Sequence, residues 1–264
     1  MKILNFLFSR SKQEQDKSIR DKLKTRKDFE RVLAEDLDIM ETTKARMDTA
    51  KNINLYMYRS LSYSYILILQ SKYSVDAKID ELRDIYIKSM HYFLQAFNKR
   101  NPIYADILNY VSLGVLLNIP DNNFRQLIDY VKQMDKQAKP SGWTPDLLLW
   151  FMLNSRMKEQ EKQKYAETLA YPRLYNGLYK VIQAPNAAAA KDALSKYLDR
   201  WYNLNSNAPW YNSHLKDNSY RGYWAWEVAA VAKIMHIDDS DLKNNQYYPY
   251  DMVHWEYNET TAKE

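Results

Sequence analysis

Apolar residues recur every three or four positions along most of this chain, and the strict alternation of a half-buried strand is scarce. Phe29, Val32, Leu33, Leu37, Met40 and Met47 mark one face of a long helix expected to begin near Asp21. Leu55, Tyr58, Leu61, Tyr65, Ile66 and Leu69 mark a second, from about Ile53 to Tyr73, packed antiparallel on the first. Within it, Tyr65 to Leu69 has strand-like composition, but the length of the segment and its regular flanks favour helix. Ser74 offers an N-cap side chain, with Asp76 in the first turn, for a third helix through Phe97. Asn101-Pro102 opens a shorter helix ending near Asn118. Pro120-Asp121 starts another, with Phe124, Leu127, Ile128, Val131 and Met134 facing inward.

Lys139-Pro-Ser-Gly-Trp143 is the clearest break, because Pro and Gly together stop a helix and leave room for a turn. It divides the expected organisation into a lead-in (1–19), an N-terminal helical domain (20–139), a C-terminal helical domain (143–257) and a tail (258–264). Beyond the break, Thr144-Pro-Asp146 reads as a helix start: a hydroxyl cap, Pro at the first helical position and an acid in the first turn. Tyr171 to Ile182 and an Asn186-capped, Ala-rich stretch through Trp201 give two more helices. The segment from Ser219 to His236 is apolar nearly all round, interrupted by Glu227 and Lys233. A helix of that kind is wrapped by others, so it is expected at the centre of the C-terminal half. The fold class expected is all-α, a multi-helix bundle or layered helical array.

Composition agrees. Four Gly and eight Pro in 264 residues leave little for strands and turns, and the absence of Cys excludes disulfides, thiolate metal sites and a Cys nucleophile. The apolar run in Met1 to Phe8 is short and broken by Asn5, and no later stretch approaches the roughly 20 apolar residues of a membrane span, so a cytoplasmic, membrane-free protein is expected. The net charge of +5 is unevenly spread. Residues 52–213 carry +6, whereas residues 214–264 hold 5 Lys/Arg against 9 Asp/Glu, a net −4.

The C-terminal segment has an ordered set of motifs: Gly222-Tyr223-Trp224 with Glu227, then Ile237-Asp238-Asp239, then Tyr247-Tyr248-Pro249 with Asp251. This set resembles the C-terminal domain of the PoNi immunity proteins. Arg20-Asp-Lys-Leu-Lys24, with Phe29 shortly after, resembles the companion N-terminal domain, and together the resemblance runs from Arg20 to Trp255. It implies a helical bacterial protein that binds and neutralises a cognate PoNe DNase toxin, with no cofactor and no catalysis.

The residues themselves carry simpler readings too. Tyr223 and Trp224, at helical spacing among alanines, are first of all core. Glu227 fits a buried acceptor for a Tyr, Trp or Arg. Asp251, two residues after Pro249, fits a carboxylate serving free amides at a helix start. Asp238, Asp239 and Asp241 suit turn and cap chemistry, and with Glu256 they are the candidates for a partner-facing acidic surface. A nuclease needs a basic groove for phosphates, so an inhibitor gains from an acidic face. Two other functions stay open on the residues alone: a helical nucleic-acid-binding protein using the basic 52–213 region, and a hydrolase pairing Glu227 with His236 or His254. His91, His214, His236 and His254 have no metal-motif spacing, and no metal is expected. No direct nucleic-acid partner is expected, and self-association is left open.

Overall fold

The first long helix begins where a capping box can close. Thr25 accepts a bond from the Asp28 amide, and Asp28 answers by accepting one from the Thr25 amide, satisfying donors that a helix start leaves free. Helix α1 (Arg26–Thr49) therefore starts five residues later than the apolar spacing predicts. Asp21 instead folds back on the chain, accepting the amides of Leu23 and Lys24. The computed structural model describes residues 19–96, 103–136, 143–216 and 218–258. Phe97, Asn101-Pro102, residues 139–142 of the expected break, and Met1 to Phe8 all lie outside them.

After α1 the chain turns at Asn54, whose side chain caps α2 (Leu55–Ser74). The stretch Tyr65–Leu69 is thus helical despite its composition. Met40 of α1 packs with Leu61, Tyr65 and Ile68 of α2, and Thr43 meets Ser60, so the two helices run antiparallel. The C-terminal half of α2 faces α3 (Ile79–Ala96). The expected cap at Ser74 is corrected here. Ser74 is the last residue of α2, and its hydroxyl donates within reach of the Gln70 and Arg221 carbonyls rather than opening α3. The turn that follows has Asp76 at φ 73°.

Helices α4 (Tyr104–Leu116) and α5 (Asp121–Lys136) complete the first half. Next comes α6 (Leu147–Asn154), capped by Asp146 through the Leu149 amide and not by Thr144. Asp146 wins because its second oxygen also accepts the Ala170 amide, and Tyr104 donates to its first, so one buried carboxylate joins three segments. Helices α7 (Pro172–Ile182) and α8 (Ala187–Leu204) form a pair, the first opened by Pro172 and the second by Asn186. Then come α9 (Trp226–Met235) and the short α10 (Tyr250–His254).

Among the described residues these ten helices carry the fold, and the single β-type pairing is an isolated bridge between Asp146 and Thr168. Helix α9 touches α4, α6, α7, α8 and α10, the central position its composition predicts. One contiguous apolar core reaches from Phe29 to Val253 and includes Trp224 and Val231.

The expected helix over 219–236 is shorter than its apolar pattern suggests. Residues 219–225 run as a non-helical strap because their backbone groups are bonded elsewhere. Gln70 donates to the Gly222 carbonyl, Ser74 to that of Arg221, and the Ala225 amide to the Tyr247 carbonyl. Gly222 permits the path: its φ is 107°, and a Cβ there would lie 2.3 Å from Ser74 Oγ and 2.4 Å from Trp224 Nε1.

Candidate functional site

The strap and the two helices that follow it position the residues singled out from sequence. Tyr223 and Trp224 are buried. The Tyr223 hydroxyl accepts the His214 amide at 3.0 Å and the Ser213 hydroxyl at 3.2 Å, tying the strap to the loop after α8. The Trp224 indole donates to Ser74 Oγ at 3.0 Å and meets the Tyr73 ring edge-on. Tyr223 thus anchors the strap to the loop after α8 and Trp224 anchors it to α2, and neither is left to present to a partner.

Glu227 sits in the first turn of α9 and accepts the Trp201 indole N–H at 2.6 Å. Burial pushes its carboxyl up to about 7, and the Trp201 bond opposes the shift only in part. Among the described residues no hydrogen bond joins Glu227 to His236 or His254. His236 closes α9 in the left-handed region at φ 50°, and His254 lies 2.7 Å from Asp239. The acid–base pairing of the hydrolase reading is therefore not assembled. Nor do the described residues bring three His, Asp or Glu side chains together as a metal would need.

Asp251 does more than serve a helix start. It accepts the Met252 amide at 3.0 Å, but its main partners come from the other half of the chain. Arg20 Nε donates to Oδ2 at 2.5 Å, and the Tyr73 hydroxyl donates to Oδ1. Arg20 also donates to the Tyr73 and Ala77 carbonyls and stacks over the Tyr73 ring. Beside this cluster Tyr220 donates to buried Asp21. Arg221 makes a two-pronged bond to buried Asp36 at 2.8 and 2.9 Å. Of these four residues, Asp21 is expected from sequence only as a helix start within the Arg20–Lys24 motif, and Asp36, Tyr220 and Arg221 have no expected role of their own. Nothing local marks them, because each is defined by a partner about 190 positions away.

The acidic candidates separate by burial. Asp239 is 1% exposed, so it is not a partner-facing residue. Its oxygens accept the Tyr248 hydroxyl at 2.7 Å and lie 2.7 Å from His254 Nε2, which is where a carboxylate beneath a short turn is spent. Asp238 and Asp241 are well exposed, but both reach Lys191 at the start of α8, at 2.8 and 2.9 Å. That ammonium holds the Asp238 carboxyl well below the usual carboxylate range, and the two acids push Lys191 up to about 12. Glu256 is exposed, and Lys233 nearby donates to the Leu116, Met252 and Trp255 carbonyls. Two carboxylates sharing one lysine leave a local net charge of −1, less than the sequence total suggests. In the 52–213 region the bases are interleaved with acids in three dimensions as well: Arg125 pairs with Glu161, Arg156 with Asp121, and Lys72 with Glu81.

The arrangement is one of structural ties. A family model described as PoNe immunity protein (PoNi), N-terminal, matches residues 8–129. A second, described as PoNe immunity proteins (PoNi), C-terminal, matches residues 144–252. The chain belongs to the PoNi family.

It is thus an immunity protein, and membership implies a toxin as its partner. The Gly222-Tyr-Trp224 segment of this PoNi protein is the strap that crosses the end of α2. Its Tyr247-Tyr-Pro-Tyr-Asp251 segment supplies the carbonyl that holds the strap and the carboxylate that holds Arg20. The crystal structure of protein PA2201 from Pseudomonas aeruginosa is similar in fold, with a TM-score of 0.69 over 90% of each chain at 19% sequence identity. No curated protein matches the chain by sequence. Among the described residues no helix is long and apolar enough to cross a membrane.

Proposed function

We propose that this PoNi protein protects its cell by binding a cognate PoNe-type DNase stoichiometrically in the cytoplasm and covering the surface through which that enzyme reaches DNA. The observation that carries the reading is the pair of family matches in chain order, over residues 8–129 and 144–252. The geometry supports a binding role over a catalytic one. Glu227 is held by Trp201, Asp251 by Arg20 and Tyr73, and Asp239 by Tyr248, so the conspicuous acids are engaged in structure. Among the described residues, Asp238, Asp241 and Glu256 are exposed carboxylates of the C-terminal segment and are the contacts proposed there.

The test is a calorimetric titration of the full chain with a nuclease-inactivated PoNe-type toxin domain, beside a DNA-cleavage assay with the active form. One-to-one binding with loss of cleavage is the expected result. Absence of binding at micromolar concentration, or a mobility shift of DNA by this chain alone, would favour a different function.

A further inference from the structure

Exposed large hydrophobic side chains gather on one hairpin. Among the described residues, Ile39, Ile53, Leu55, Tyr56 and Tyr63 all belong to α1, α2 or the turn between them, whereas Tyr165, Tyr171 and Leu215 stand apart. Tyr56 is 77% exposed and Ile39 50%. Tyr56, Ser60 and Tyr63 follow at i, i+4 and i+7, so they share the outward face of α2. Ser60 lies 3.4 Å from Thr43 of α1. Ile39 is one turn back along α1 from Thr43, and Tyr63 is nearly one turn on from Ser60. In an antiparallel pair this sets Ile39 beside Tyr63, making one continuous strip.

The α1 side of the strip is acidic, while on the α2 side Arg59 lies beside Tyr63 and Asp106. Between Arg31 and Lys44 the chain holds Glu35, Asp36, Asp38 and Glu41 and no Lys or Arg. Asp36 points inward to Arg221. Glu35, one turn before Ile39, and the outward-facing Asp38 flank the strip, and among the described residues neither forms an ion pair. Thus the hairpin sets acids that form no ion pair among the described residues against aromatic side chains that lose little rotamer freedom when buried.

We infer that this strip, centred on Ile39, Tyr56 and Tyr63 and bordered by Glu35 and Asp38, is a docking surface for a basic protein, the phosphate-binding face of the DNase. This rests on the toxin-binding function proposed above. Aromatic anchors give such a contact its affinity, and charges at its edge set its approach rate and salt dependence. The chain as a whole carries +5, so attraction of a basic partner has to come from a local acidic border and not from net charge.

Both effects are measurable on the full chain against a nuclease-inactivated PoNe-type toxin domain. Ile39→Ser combined with Tyr56→Ser is expected to weaken binding at least tenfold with an unchanged circular dichroism spectrum and melting temperature, since both side chains are exposed. Asp38→Lys is expected to slow association at low salt and to flatten its salt dependence. Should the wild type bind while all these variants bind equally well, the strip is not the docking surface. Should the wild type itself fail to bind, the toxin-binding function falls and the strip with it. Light scattering supplies a further check: a wild-type dimer that becomes monomeric in the Ile39→Ser, Tyr56→Ser variant would assign the strip to a second copy of this chain and overturn the proposal.

Discussion

Arg20 Nε lies 2.5 Å from Asp251 Oδ2, and 231 positions of sequence separate the two residues. The first described turn of the chain is thereby pinned to the last described helix, with the Tyr73 hydroxyl as a third member. Asp251 is partly exposed, so solvent tempers the attraction. Arg20→Ala or Asp251→Ala is expected to cost about 1–3 kcal/mol, chiefly by stranding polar partners. A double-mutant cycle followed by urea denaturation should show strong coupling, and additive losses would contradict the pairing.

The Asp36–Arg221 pair is more deeply set, with side-chain exposures of 2% and 11%. Removing one partner strands a charge away from water. Asp36→Ala should therefore destabilise by about 3–5 kcal/mol. Asp36→Ala with Arg221→Met should recover a large part of that loss in the same denaturation series.

Glu227 gives the stability a pH dependence of defined sign. Burial raises its folded-state pKa to about 7, so the folded protein holds this proton more tightly than the unfolded chain does. Its contribution is full below the ordinary glutamate range and is lost as pH rises through about 7. Glu227→Gln keeps an acceptor for Trp201 and removes the titration. The variant should be more stable than wild type at pH 8.5, by on the order of 2–3 kcal/mol, and should match it near pH 4.5. Parallel denaturation curves at the two pH values provide the check.

Gly222→Ala would place a methyl group 2.3 Å from Ser74 Oγ at a φ of 107°. Both the contact and the backbone resist it. A loss of about 3 kcal/mol is expected, with a shift in tryptophan fluorescence as Trp224 is displaced.

Asp238→Lys with Asp241→Lys removes two bridges to Lys191 and turns the α9–α10 connection basic. Since these bridges lie on the surface, the melting temperature should change little. Toxin affinity should fall, and fall less at high salt; an affinity unaffected by the reversal would remove this segment from the contact.

Helical periodicity made the helices legible, because burial of a face repeats every three to four residues wherever a helix packs. It also located α9 at the centre, since a helix apolar on all sides has to be covered on all sides. Local signals misled where distant groups competed for the same atoms. Ser74 looks like a cap until Arg221 and Trp224 arrive beside it. The residues from Ser219 to Ala225 look helical until α2 and Tyr247 take their backbone bonds. Asp239 looks solvent-facing by composition, and only the placement of Tyr248 and His254 shows it inside. Asp21 and Asp36 are ordinary surface acids on paper, for their partners Tyr220 and Arg221 enter from the far end of the chain.

The strap across the end of α2 has a consequence for how this molecule is made. Asp21, Asp36 and Arg20 have their principal partners at 220, 221 and 251, residues that leave the ribosome 185 to 231 positions later. Until then two carboxylates destined for the interior have no counterpart, and the emerging amino-terminal half has to wait in water. The fold therefore closes only once Asp251 has been made, and a transcript cut short before it would leave Arg20 without this partner.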